Sequence, residues 1–296
     1  MRTRVTIFIY LCLIATLEVA AQQVIYQPAD SLRIMQLLRE GISRPKDTCL
    51  PLYYGKQFIG IPYVASTLEV NYVANPQTAH EQLIVNTREL DCTTFVETVC
   101  ALTLTTRQRS TSFADYCRNL QRLRYRGGII DGYASRNHYF STWIDNAEAL
   151  GIAREIGQKD SPLFSSTKQQ VINYMTTHPN QYPALRNEGG SKFLPAIRAA
   201  ERAITRTEHY IPTSKLHLPK AQLNCVEDGD ILAMVTSKAG LDVSHLGLAV
   251  WGEDGRLHLL NASSLHHKVV LEQRTLQQYQ QSQKTQLGIR VIRLKD

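Results

Sequence analysis

Residues 89–106 read ELDCTTFVETVCALTLTT, and their spacing predicts a helix buried on most of its sides. Phe95, Val96, Val99, Cys100, Leu102 and Thr103 recur at helical intervals, and Asp91 stands just before the run as an acceptor for the free N–H groups of a first turn. Cys92 therefore falls at the N-terminal turn of a buried helix. Open N–H groups and the helix dipole favour thiolate there and lower its pKa, and the same N–H groups can hold an oxyanion. A buried cysteine is equally at home as a packing residue. A nucleophile would also need a base within reach of the sulfur and a group to orient that base.

Such groups occur in the C-terminal part. GDILAMVT (229–236), SHLGLAVWG (244–252), RLHLLNASS (256–264), HKVVLEQ (267–273) and GIRVIRL (288–294) are short, partly alternating apolar runs with turns such as EDG (253–255) between them. That pattern suits an antiparallel meander or partial barrel. His245 heads one run and Asn261 lies on the next, and adjacent antiparallel strands can bring such residues to one face. An Asn carbonyl accepting the imidazole N–H fixes the tautomer whose other nitrogen is free to face Cys92. A helix first and strands afterwards gives an α+β protein.

Elsewhere, the pattern predicts a helix over Ser31 to Glu40 capped by Ser31, a turn at IGIPYVAST (59–67) and a strand over LEVNYV (68–73). The middle region, about 110–224, carries a helix over Phe113 to Tyr125, a turn at Gly127 and Gly128, and helices near Thr167 to His178 and Lys192 to Thr205. No repeat or linker divides the chain. Residues 22–296 are expected to form a single domain, with 110–224 as an insertion into it.

Residues 1–21 place Arg2 and Arg4 before an apolar run and end in Val19, Ala20 and Ala21. This order is that of a cleaved signal peptide, and the run is shorter than the roughly 20 apolar residues a membrane span needs. The expectation is an exported, periplasmic protein without stable membrane insertion. Cleavage would remove two arginines and one glutamate from the 33 basic and 26 acidic residues, leaving +6. A mild basic excess suits an anionic partner such as cell-wall polymer. No basic run interleaved with aromatics points to nucleic acid. Cys49, Cys92, Cys100, Cys117 and Cys225 remain, an odd number, so at least one thiol stays unpaired within the chain. Asp230 reads as an Asx-type turn residue. The His266–His267 doublet has no acidic or thiol partners at ligand spacing, so no metal is expected, and no cofactor is required.

The order IGIPYV, LDCTTF, DGDILAMV, SHLGLAVWG and a strand ending in NASS resembles the NlpC-type superfamily of papain-like cell-wall cysteine hydrolases. The resemblance implies Cys92 as nucleophile, His245 as base and Asn261 as orienting residue, on a core whose helix N-terminus packs against an antiparallel sheet, with a long helical insertion. Asn261 replaces the more common His at the third position, and the Cys-to-His gap is more than twice that of a minimal member. YRGGIIDGYASRNHYFSTWIDNA (125–147) is further similar to the N-acetylmuramoyl-L-alanine amidase-like branch. For that branch the resemblance implies cleavage between the lactyl group of muramic acid and L-alanine, in peptidoglycan fragments and preferentially in anhydro-muropeptides. Tyr63, Asp91 and Ser244, beside the nucleophile and base, are candidate substrate contacts. Arg136, Asn137, His138, Tyr139 and Trp143 are candidates for the sugar side, where aromatic faces suit sugar rings, although Tyr139, Phe140 and Trp143 equally fit the core face of a helix. The alternatives are a γ-D-glutamyl-diaminopimelate endopeptidase with the same three residues, a transglutaminase-like acyltransferase, and a non-catalytic wall-binding module.

Overall fold

A computed structural model describes residues 24–74, 80–169, 171–186 and 188–296, so the expected leader lies outside the described residues. The first half contains α1 (Pro28–Ile42), α2 (Leu50–Lys56), α3 (Val70–Ala74), α4 (Cys92–Arg107), α5 (Phe113–Arg124) and α6 (Phe140–Ala149). Next come β1 (Ala153–Ile156), β2 (Ser166–Gln169), α7 (Tyr174–Thr177), α8 (Leu194–Ala203) and β3 (Thr207–Pro212). The chain ends with β4 (Ile231–Thr236), β5 (Val243–Trp251), β6 (Leu257–Ser263), β7 (Lys268–Leu271), α9 (Leu276–Gln281) and β8 (Gln286–Leu294). None of the described helices is long and apolar enough to cross a membrane.

The strands form one antiparallel sheet in the order β2-β3-β8-β4-β5-β6-β7, with β1 also paired to β8. Both faces are covered, which is why ILAMV in β4 is continuously apolar. Ile231 and Ala233 face the helical layer with Leu246, Leu248 and Val250 of β5. Leu232 and Met234 face the opposite core with Ala249, Leu259, Leu276 and Tyr279.

Helix α4 is the centre of the helical layer, touching α1, α2 and α5 and lying on β5 and β6. Five of its threonines, Thr94, Thr98, Thr103, Thr105 and Thr106, are buried. Thr103 and Thr105 are accommodated by donating their hydroxyls to the Val99 and Ala101 carbonyls at 2.9 and 2.7 Å, the back-bonding that a helix offers a hydroxyl one turn on.

Three local readings differ from the structure. LEVNYV forms no strand: Val70–Ala74 is a short helix whose Tyr72 enters a small core with Tyr133 and Tyr139, leaving Val70 and Val73 exposed. Helix α1 starts at Pro28, not at Ser31, because Asp30 bonds back to the Gln27 N–H and proline fits the first turn. The segment expected as one helix near Thr167 to His178 splits into β2 and the short α7. Strand β2 is polar, STKQ, and partly exposed, so it carries no apolar period to read.

The 110–224 region is also more than a helical layer. Its α5 and α6 supply Leu120, Leu123, Trp143 and Ile144 to the main core, and its β1 and β3 extend the sheet along β8. Buried arginines fasten it. Arg290 of β8 is fully buried and donates to Glu155 at 2.6 and 2.9 Å and to Ser141 at 2.7 Å. Arg136 is held between Glu69 and Glu81.

Candidate active site

The N-terminus of α4 is built by its own sequence. Asp91 has extended backbone and accepts the Thr94 N–H at 2.8 Å, while the Thr94 hydroxyl accepts the Asp91 N–H at 2.9 Å. The cap occupies the third N–H of the helix, and the Cys92 N–H remains at its mouth. Cys92 is half-buried at the first helical position.

The sheet brings the other two residues to it. His245, at the start of β5, is buried, and its Nε2 lies 2.8 Å from the Oδ1 of fully buried Asn261 on β6. A carbonyl oxygen only accepts, so Nε2 carries the hydrogen and Nδ1 keeps its lone pair. The next residue, Leu246, donates its backbone N–H to the Cys92 sulfur, as do the Thr93 N–H and side chain. Cys92 and His245 line one cleft of about 170 Å³ together with Thr93, His138, Tyr139, Phe140, Tyr182 and Ser244.

Electrostatics make this a neutral pair at rest. Burial and the Asp91 carboxylate push the Cys92 thiol up to about 12, against the pull of the Leu246 and Thr93 donors. The lowering expected from the helix start is thus outweighed in the free protein by desolvation. Burial lowers the His245 pKa, although its bond to Asn261 and the negative charges of Glu272 and Asp91 oppose the shift. A neutral imidazole next to a neutral thiol can take the proton as the sulfur attacks, which is general-base activation.

The other predicted site residues divide into two groups. His138 and Tyr139 line the cleft, as does the exposed Ser244. Tyr63 stands beside Cys92 and Asp91, and burial, with the Asp91 carboxylate adding to it, pushes its hydroxyl up to about 12. Backbone pairing to Leu90 and an N–H bond to the His267 carbonyl hold it there. By contrast, Arg136 is spent on two carboxylates. Asn137 is buried and donates to the Leu123 carbonyl at 2.9 Å, and fully buried Trp143 packs on Phe140 in the main core. These three are framework around the cleft: Arg136 and Asn137 point inward from the turn before α6, and Trp143 from the buried face of α6.

His138 has a fixed role in hydrogen bonding. Its Nε2 sits 2.8 Å from the Tyr133 carbonyl, so Nε2 carries hydrogen and Nδ1 can only accept. Burial, with the Arg136 charge beside it, depresses its pKa to about 3. Asp242, not singled out from sequence, also lines the cleft and accepts the Ser141 N–H of α6 at 2.7 Å and the Val243 N–H at 2.8 Å. It stitches the start of α6 to the start of β5. Tyr182, Met175 and Leu241 were missed too, since nothing local distinguishes them from other apolar or aromatic residues.

The family model described as AmiA-like, N-acetylmuramoyl-L-alanine amidase-like, matches residues 53–289. An N-acetylmuramoyl-L-alanine amidase from Bacteroides uniformis is 36% identical, with 87% of this chain and 100% of that chain covered and a TM-score of 0.74. A Bacteroides fragilis structure bearing a provisional xylanase name is 41% identical over 82% of this chain and 99% of that one, with a TM-score of 0.72. A Legionella pneumophila protein shares the fold at 21% identity, covering 90% and 95% of the two chains, with a TM-score of 0.66. A sequence comparison with curated proteins gave no match.

Proposed function

Because the chain belongs to the N-acetylmuramoyl-L-alanine amidase-like family, we propose that it is an exported, periplasmic cysteine hydrolase that cleaves the amide between muramic acid and L-alanine in muropeptides. The observation that carries this reading is the 2.8 Å bond from His245 Nε2 to Asn261 Oδ1 in the cleft that also holds Cys92 at the mouth of α4. A papain-like core is part of the same reading.

In the proposed reaction the Cys92 thiol gives its proton to His245 as the sulfur attacks the lactyl carbonyl. In the same reading the Cys92 N–H and the Tyr63 hydroxyl donate to the oxyanion. His245 then protonates the departing amine of L-alanine, leaving a thioester, and activates a water molecule to hydrolyse it. His138, as a permanent acceptor, suits an N–H or O–H donor of the substrate, and the rings of Tyr139 and Tyr182 suit a sugar face. An anhydro-muropeptide, small enough to enter a cleft of about 170 Å³ end-on, is the proposed preferred form. A glycosidase mechanism is less well served: it uses two carboxyl groups flanking the bond, whereas Asp242, the one carboxylate lining the cleft among the described residues, has both oxygens engaged by backbone N–H groups.

Mass spectrometry of digested muropeptides, with anhydro and reducing-end forms side by side, tests the bond assignment. Free sugar plus intact stem peptide is the expected product, and a shortened stem still attached to sugar would replace the reading with an endopeptidase. Asn261→Ala is expected to lower kcat/KM by roughly ten- to a hundredfold, because a hydrogen bond to a group that becomes charged is worth about 1.5–3 kcal/mol. Steady-state kinetics on the variant, with circular dichroism as the folding control, checks this; unchanged kcat/KM would remove Asn261 from the mechanism.

A further inference from the structure

A second cavity, of about 530 Å³, lies between α6 and α8, apart from the cleft that holds Cys92. Its α8 side is a face of methyl groups from Ala196, Ala199, Ala200 and Ala203, with Ile204 beyond. Most of its polar groups are already engaged. Asp145 is gripped by Arg206 at 2.8 and 2.9 Å. Asn146 accepts the Gly127 N–H and donates to the Arg122 carbonyl, each at 2.8 Å.

Arg126 is different. Its half-buried guanidinium lines the cavity but has no hydrogen bond, ion pair or aromatic contact among the described residues. Burial lowers its pKa. The Thr142 hydroxyl in the same wall is buried and also unpartnered. A cation drawn out of water without a counter-charge is unfavourable. The contrast within this protein is plain, since Arg124, Arg136 and Arg290 are more deeply buried and each is matched to a carboxylate.

We infer that this cavity is a binding site for an aliphatic monocarboxylate, with the carboxylate on Arg126 and the hydrocarbon chain along the alanine face of α8. A planar guanidinium with free N–H groups matches a carboxylate in a forked, two-bond geometry. One uncompensated cation balances one negative charge, and the neighbouring Asp145 disfavours a dianion such as phosphate. The alanine face provides apolar surface for a chain and no donor for a sugar or a peptide backbone. Occupancy of this site requires no amidase activity.

Octanoate titrated into the full chain and followed by calorimetry tests the site. Saturable binding at one site per chain is expected, with octanol at least about tenfold weaker because it lacks the charge. Arg126→Gln should weaken octanoate by about tenfold or more. Ala199→Phe, at an exposed helical position, should do the same by filling the cavity while leaving the thermal midpoint unchanged. The inference is overturned by uptake that does not saturate, by equal affinity in Arg126→Gln, or by a dipeptide such as alanyl-glutamate binding more tightly than octanoate, which would make the cavity a peptide site.

Discussion

Cys92→Ala is expected to lower kcat/KM on a muropeptide amide by at least about 10⁴-fold, the order of loss when a covalent nucleophile is removed. No neighbouring group can replace it. Thr93 is adjacent, but its hydroxyl is a far weaker nucleophile than sulfur, and Cys100 is buried two turns along the same helix. The folded state should be nearly unaffected, since the change removes one half-buried sulfur atom from the helix mouth. Turnover and thermal midpoint measured on the same sample separate the effects, and turnover retained in the variant would overturn the thiol mechanism. The pH profile follows from His245. In the proposed reaction its neutral form is the base, and burial holds its pKa below the usual 6.5. Activity is therefore expected to persist below pH 6.5 and to fall as pH drops through the lowered pKa. The same shift makes the folded state bind protons less readily than the unfolded chain, so this histidine's contribution to stability is full above 6.5 and declines as pH falls.

Arg124→Ala is expected to destabilise the fold by about 3–5 kcal/mol, the cost of leaving one member of a buried pair without its partner. Its guanidinium lies 2.7 Å from Glu97 and 2.6 Å from the Ile84 carbonyl, and both side chains of the pair are 3% exposed. Glu97 is on α4, so the pair locks the helix that carries Cys92 to α5 and to the segment at Ile84. Burial raises the Glu97 pKa and the Arg124 charge opposes the rise. In the variant that opposition is gone. A carboxyl with a raised folded-state pKa favours the folded state when protonated, so Arg124→Ala should recover part of its loss as pH falls toward 4.5. Denaturant unfolding at two pH values checks both sign and size. A double variant, Arg124→Met with Glu97→Gln, should be more stable than Arg124→Ala, and equal stability would show that an unpaired carboxylate is not the source of the loss.

The buried pairs explain why the sequence reading of the 125–147 segment was incomplete. Arg136 and Trp143 have the chemistry of sugar-binding residues, and nothing in their spacing shows that Glu69 and Glu81 claim the first and that Phe140 covers the second. His138 and Tyr139 lie in the same stretch and do reach the cleft. Whether a polar residue faces a substrate or a buried carboxylate depends on partners about 55–70 positions away in the chain. Arg126, two residues before the turn at Gly128, is the converse: nothing in its sequence surroundings marks it, and it is notable only because no carboxylate meets it.

Local sequence was sufficient for elements whose signals are local. Asp91 and Thr94 cap α4 by hydrogen bonds three residues apart, and the apolar content of residues 95–102 requires burial on most sides. The apolar runs from 231 onward require a sheet, and the order of His245 and Asn261 on successive strands follows from their turn. Register was beyond such reading. His245 bonds to Asn261 because β5 and β6 pair Leu248 with Leu260, and Cys92 shares a cleft with His245 because α4 packs on those two strands. Tertiary packing also decided that LEVNYV is no strand, that polar STKQ is one, and that the Cys92 thiol is neutral at rest. Capping and periodicity are properties of neighbours along the chain, whereas desolvation, pairing and charge compensation are properties of whatever the fold places alongside.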